Sequence, residues 1–202
     1  MSDAELPPRP DEPRAINWIL CENVEEVDFA GPDLAKIKGW TVDADTILTD
    51  GLADSSVRPE GLDMLNRIQA AGKAVMLLTR SPHRDFAVAV LQQVNRGRGE
   101  RINCFYRGDE TGGLHPDTHR SYMHSEAGNY LNVHGRNMGH VSARFRSHWG
   151  SMITGYEMHI WPLHADSDQP RSARAKLWRG LETNVVRSLF KVYPYSRTVG
   201  SE

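Results

Sequence analysis

Residues 40–50 read Trp40-Thr41-Val42-Asp43-Ala44-Asp45-Thr46-Ile47-Leu48-Thr49-Asp50, and the reading of the fold grows from them. A short apolar run passes directly into two carboxylates one residue apart, then a Thr and two more apolar residues. A parallel strand that ends in Asp-x-Asp-x-Thr carries both acids on the loop beyond the carboxyl end of a sheet, where open α/β folds hold ligands. Two residues apart on a continuing strand, the side chains would point the same way. Past the strand end they are free to converge on one ligand. The competing reading of this stretch alone is a surface turn with solvated acids.

The neighbouring segments argue for the sheet. Upstream, Ile16–Leu20 and Val24–Phe29 are apolar stretches without a clear assignment, and Asp33–Ile37 reads as a short turn of helix. Residues 40–48 are expected to form the first strand. Asp50–Pro59 is a polar loop with Pro59 at a helix entry. Gly61–Ala71 places Leu62, Leu65 and Ile68 on one face of an amphipathic helix that Gly72 closes as a C-cap. Ala74–Leu78 is a continuous apolar run, a second buried strand with the polar tip Thr79-Arg80-Ser81-Pro82. Asp85–Val94 is a second helix with Phe86, Val90, Leu91 and Val94 inward, and Ile102–Tyr106 is a third strand. Alternating strands and helices with apolar strands predict a parallel sheet with right-handed crossovers. Residues 107–150, rich in Gly, His, Arg and Asn, show little periodicity and are expected to be an irregular insertion. Tyr156–Leu163 reads as a further strand, and Ser172–Leu189 as one or two helices.

Composition narrows the class. The chain has 202 residues, 39% of them hydrophobic and 25% charged, which fits one globular α/β domain over residues 16–202. Residues 1–15 are Pro-rich and acidic and read as a disordered tail. No apolar run reaches the roughly 20 residues that a bilayer span needs, so no membrane span is expected. Cys21 and Cys104 are isolated, as in reduced, cytoplasmic proteins. The formal net charge of −2 is unevenly spread: residues 1–60 hold 14 acids and 5 bases, residues 61–202 hold 12 acids and 19 bases. The basic second half could draw an anionic partner. A solvated surface is the favoured reading, and a nucleic-acid partner is not favoured, because basic and aromatic residues do not interleave.

The acids suggest phosphoryl transfer. Asp43 would attack phosphorus and form an aspartyl-phosphate. Asp45 would protonate the leaving oxygen and then deprotonate the attacking water. Mg²⁺ suits a carboxylate environment and would screen the charges. Thr79, at the end of the second strand, could bind a phosphoryl oxygen, although an N-cap role explains Thr79 and Ser81 equally well.

Val42-Asp43-Ala44-Asp45-Thr46-Ile47-Leu48 resembles the first signature motif of the haloacid dehalogenase-like (HAD) superfamily, and Ala74–Ser81 (AVMLLTRS) resembles its second. The helix Gly61–Ala71 before Gly72-Lys73 is similar as well. Within the superfamily, Glu22–Asp28 and Leu34–Gly39 are similar to a small phosphatase branch acting on phosphatidylglycerophosphate. The resemblance covers residues 20–106. It implies a three-layer α/β sandwich (Rossmannoid) with a parallel sheet, Asp43 as nucleophile, Asp45 as acid/base, Thr79 as phosphoryl binder with Arg80 beside it, and a small phosphorylated substrate. The second acid favours phosphatases over dehalogenases.

The chain also departs from that pattern. The family places a Lys at its third motif, and here no Lys lies between Lys73 and Lys176. An Arg supplies charge but not the geometry of an ammonium. The acids completing the Mg²⁺ site are sought after a later strand. Gly108-Asp109-Glu110 comes early, and Asp166 and Asp168 fit the order better, giving an expected metal set of Asp43, Asp45, Asp166 and Asp168. Eight of the nine His fall between His115 and His164. His115 and His119 would share a helix face, but Pro116 opposes a helix beginning before it, so hydrogen-bonding or solvated histidines are expected rather than a zinc site. Trp149, Trp161 and Trp178 read as core or rim. The expected function is a Mg²⁺-dependent phosphomonoesterase. The alternatives are a catalytically degenerate HAD-like binding module and a phosphatase acting on nucleic-acid ends.

Overall fold

The computed structural model describes residues 16–21, 24–49, 53–106, 116–162 and 190–194. The expected tail 1–15, Asp109 and Glu110, His115, Asp166, Asp168, and the Ser172–Leu189 stretch with Lys176 and Trp178 lie outside the described residues. Seven strands are described: β1 (Ile16–Cys21), β2 (Gly39–Asp43), β3 (Ala74–Thr79), β4 (Asn103–Tyr106), β5 (Met138–Val141), β6 (Met158–Pro162) and β7 (Phe190–Pro194). They form one sheet in the order β4-β3-β2-β5-β6-β1-β7, and every pairing in it is parallel. The α/β class with a parallel sheet is therefore as expected. Among the described residues, no helix is long and apolar enough to cross a membrane.

Helices α1 (Ala44–Ile47), α2 (Pro59–Ala70), α3 (Arg84–Val94), α4 (Pro116–Leu131) and α5 (Phe145–Ile153) follow β2, β3, β4 and β5 in the manner of crossovers. The alternation of β3 separates the layers. Val75 and Leu77 pack with Met64, Leu65 and Ile68 of α2 and Val90 and Val94 of α3. Met76 and Leu78 pack on the opposite face against Met123 and Ala127 of α4. The result is three layers, helix on sheet on helix. Each fully buried aliphatic side chain of this core contributes roughly 1.5–3 kcal/mol relative to exposure.

Two glycines show how the sequence admits this packing. Gly72 ends α2 at φ 70°, a left-handed backbone that suits glycine. Gly139 lies opposite Trp40 across the β2–β5 ladder, and a Cβ there would stand 2.4 Å from the indole ring. Trp40 is fully buried because its neighbour has no side chain.

Three expectations change. The strand at 40–48 is shorter: β2 stops at Asp43, and Ala44–Ile47 turn into α1. β1 is a strand, and it pairs with β6 and β7 far from β2. Residues 116–150 are not an irregular insertion, since α4, β5 and most of α5 are built from them. These elements escaped the sequence because their buried sides mix apolar residues (Met123, Ala127, Met138, Val141) with polar ones. The α4/α5 face of the sheet carries Thr41, His140 and His159, with His124 and His148 from the helices, all buried. A hydrophobic-period search passes over such a layer. α4 does begin at Pro116, as the proline requires.

Candidate functional site

The chain runs from β2 through β3 to β4 on one side, then returns through α4 to β5 on the other side of β2. The crevice beyond the carboxyl ends of β2 and β5 is thus the topological switch point. Asp43 is the last residue of β2, and Ser142 follows the last residue of β5. Asp43 pairs with Leu78 of β3, so Thr79 stands one residue further along the neighbouring strand. Asp43, Asp45, Thr79 and Arg80 are brought to one rim, as the sequence reading expects.

Asp43 is buried, with 4% exposure. Its Oδ2 accepts a hydrogen bond from Ser142 Oγ at 2.7 Å and another from Ser147 Oγ in the first turn of α5. Its Oδ1 faces His140 Nε2 at 3.9 Å. Burial, reinforced by the negative charge of Asp45, pushes the Asp43 carboxyl up to about 6, against the opposing pull of Ser147, Ser142 and Arg80. His140 Nδ1 lies 3.2 Å from the Thr41 carbonyl oxygen, which can only accept, so the ring proton sits on Nδ1. Burial, helped by the surrounding histidines His124, His148 and His159, holds His140 well below the usual imidazole range. Its Nε2 is then a bare lone pair without a hydrogen-bond partner among the described residues.

Asp45, on α1, is held differently. Arg80 Nη2 and Arg144 Nε each approach its Oδ2 at 2.8 Å. The carboxylate side chain is 5% exposed and the two arginine side chains are 32% and 34% exposed, so the guanidinium groups lie between the acid and solvent. Among the described residues, the buried Asp45 Oδ1 has no hydrogen-bond partner. The loop that delivers Arg144 is well anchored. Ala143 N–H donates to Thr46 Oγ1 at 3.2 Å, Trp161 Nε1 donates to the Ala143 oxygen at 2.9 Å, and Arg144 N–H donates to Ser142 Oγ at 3.0 Å.

Thr79 is buried, and its Oγ1 accepts the Ser81 N–H at 3.2 Å while Ser81 Oγ accepts the His83 N–H at 3.2 Å. These are local side-chain-to-backbone turns; the N-cap position of α3 is His83, so neither Thr79 nor Ser81 takes the N-cap role expected as the alternative. Under the rim runs a buried histidine chain. His124 and His140 rings meet at 4.5 Å, His140 and His148 at 4.9 Å, and His148 and His159 at 5.4 Å. Burial lowers His148 to about 3. Its Nε2–H donates to the Ser142 oxygen at 3.0 Å, which ties the chain to the serine that holds Asp43.

Ser142, Arg144, Ser147 and His140 were not foreseen. They follow or belong to β5, whose four residues include a histidine and give no apolar signature. Once the strand is known, the polar residues just past its end are the natural rim groups.

Mg²⁺ can be tested against these donors. It requires carboxylate oxygens turned toward a shared point. Here Asp43 Oδ2 is taken by two hydroxyl donors, Asp43 Oδ1 faces a buried imidazole, and Asp45 Oδ2 is taken by two guanidinium cations. A divalent cation would sit against two fixed positive charges. Among the described residues, no group of three or more His, Cys, Asp and Glu side chains could hold a metal. The described residues do not by themselves form a site for the ion, and the other two expected ligands, Asp166 and Asp168, are outside the described residues.

No family model matches the chain, and no curated protein matches it. A solved structure of an uncharacterized protein from Corynebacterium glutamicum ATCC 13032 Kitasato is similar, with a TM-score of 0.45 and 16% identity, covering 72% of this chain and 94% of that one.

Proposed function

We propose that the rim at Asp43, Asp45, Thr79, Arg80 and Arg144 holds a phosphorylated small molecule without turning it over, as a catalytically degenerate relative of HAD-like phosphatases. The observation that carries this reading is how the would-be nucleophile is held. Attack on phosphorus needs an Asp43 oxygen turned to the crevice; Oδ2 accepts from both Ser142 and Ser147, and Oδ1 faces the buried His140 ring at 3.9 Å. The position remains that of a ligand site, because it lies at the switch point of a parallel sheet and carries two cationic side chains. The HAD-like motifs supply the choice of a phosphoryl group over other anions.

The second reading is the Mg²⁺-dependent phosphomonoesterase acting through an aspartyl-phosphate. It is favoured by Asp43 lying beside Thr79 and by its carboxyl standing near 6, a perturbation of the kind found at working sites. One experiment separates the two. A panel of phosphorylated metabolites is screened for a rise in Tm and for phosphate release, with and without Mg²⁺, on the wild type and Asp43→Asn. Retention predicts that at least one compound raises the Tm and that none is hydrolysed faster by wild type than by the variant. Release of phosphate that vanishes in Asp43→Asn would establish the second reading instead.

A further inference from the structure

The two arginines at the rim are unusual in how they are held. Each guanidinium has five N–H donors. Arg80 gives Asp45 one Nη2 contact and Arg144 gives it one Nε contact, both at 2.8 Å to the same oxygen. Among the described residues, Arg144 Nη1 and Nη2 and Arg80 Nη1 have no acceptor, and Arg80 Nε is a buried donor with none. Both side chains are about one-third open to solvent while their anchor is buried. Asp45 therefore pins two cations in place and leaves much of their donor capacity unused. With both arginines charged and both acids ionised the cluster is neutral, so it is the unused guanidinium donors, held beside a buried acid, that are open to the oxygens of an anion.

Resting on the phosphoryl-site reading above, we propose that Arg80 and Arg144 bind the phosphoryl group of a monoester directly, and that they replace the divalent cation. The planar fork of each guanidinium matches a phosphate edge bidentately. The buried Arg80 Nε without an acceptor is the second mark of an unfilled anion site, since buried donors ordinarily have one. The arginines stand at the ends of two strands on opposite sides of β2, so the bound group would bridge the crevice between them. Arg144 is the new element in this site, and it comes from the loop after β5.

The test is isothermal titration of the full chain with inorganic phosphate and with phenyl phosphate, once in EDTA and once in excess Mg²⁺. Equal affinity in the two buffers, within about two-fold, is the expected result. Arg144→Gln and Arg80→Gln should each weaken binding at least ten-fold. Because each removes a partner of a buried acid, Arg144→Lys serves as the folded control. It keeps a charge on Asp45 but lacks the spare fork, and should also bind at least ten-fold more weakly. Affinity that rises ten-fold or more with Mg²⁺, or phosphate binding untouched in Arg144→Lys, would overturn the proposal while leaving a phosphoryl site in place. No binding of either probe would overturn it too, and with it the retention reading if the metabolite panel also fails.

Discussion

Asp43→Asn should stabilise this protein at pH 8, although it alters the residue on which the site is centred. In the folded chain the carboxyl is pushed from 3.8 to about 6, chiefly by burial and then by Asp45. Ionising it at neutral pH therefore costs folding free energy. A shift of about 2 units corresponds to roughly 3 kcal/mol at most, taking about 1.36 kcal/mol per unit. The sign follows from proton counts. Between pH 4 and 6 the folded state binds more protons at this group than the unfolded state, so stability from it falls as pH rises through that window. The deficit is complete above about pH 7, roughly half as large near pH 5 and small by pH 4. Asn removes the charge, keeps an oxygen for Ser142 and Ser147, and turns an N–H donor toward the bare Nε2 of His140. For a chain of this size about 1 kcal/mol moves Tm by ~2–4 °C, so the variant should gain up to roughly 6–12 °C at pH 8. The assay is thermal unfolding of wild type and variant from pH 4 to 8. A variant less stable than wild type at pH 8, or a difference that does not shrink toward pH 4, would refute the reasoning.

Two further outcomes follow from the same packing. Ser147→Ala removes a hydrogen bond that favours the ionised Asp43, so denaturant unfolding should show a loss of roughly 1–2 kcal/mol at pH 8 and a smaller loss at pH 5, where the carboxyl is largely protonated. His148 is buried neutral at about 3, so its contribution is fully present above the unfolded value of 6.5 and is lost as pH falls below it, by roughly 2 kcal/mol on reaching pH 5. His140 and His159 are shifted the same way by burial, so acid should unfold the protein despite the opposite slope of Asp43. His148→Gln should flatten the fall of Tm between pH 6.5 and 5, and an unchanged slope would rule this account out.

The parts of the fold that local chemistry dictates were legible residue by residue. The apolar run Ala74–Leu78, the amphipathic Gly61–Ala71 with its terminal Gly72 and the Asp43-Ala44-Asp45 step each carry their own periodicity or turn signal, and each appears at or near its expected bounds. β5 and α4 were not legible. Their inward positions interrupt the apolar residues with His124 and His140, and burial of such groups is decided by partners distant in sequence: Thr41 beneath His140, Tyr156 donating to the His124 oxygen. Polar residues that satisfy one another in a core look, in one dimension, like residues facing water.

The same division runs through the site. The order of residues was enough to bring Asp43, Asp45, Thr79 and Arg80 to one rim, because strand ends and the turns after them are local events. Which way the carboxylates turn, and what neutralises them, depended on Ser142, Arg144 and Ser147, about a hundred positions later in the chain. Only the return of the chain to the far side of β2 sets those side chains against the two acids. Burial and charge at that junction, rather than the Asp-x-Asp spacing, determine whether Asp43 is a free nucleophile or a held group.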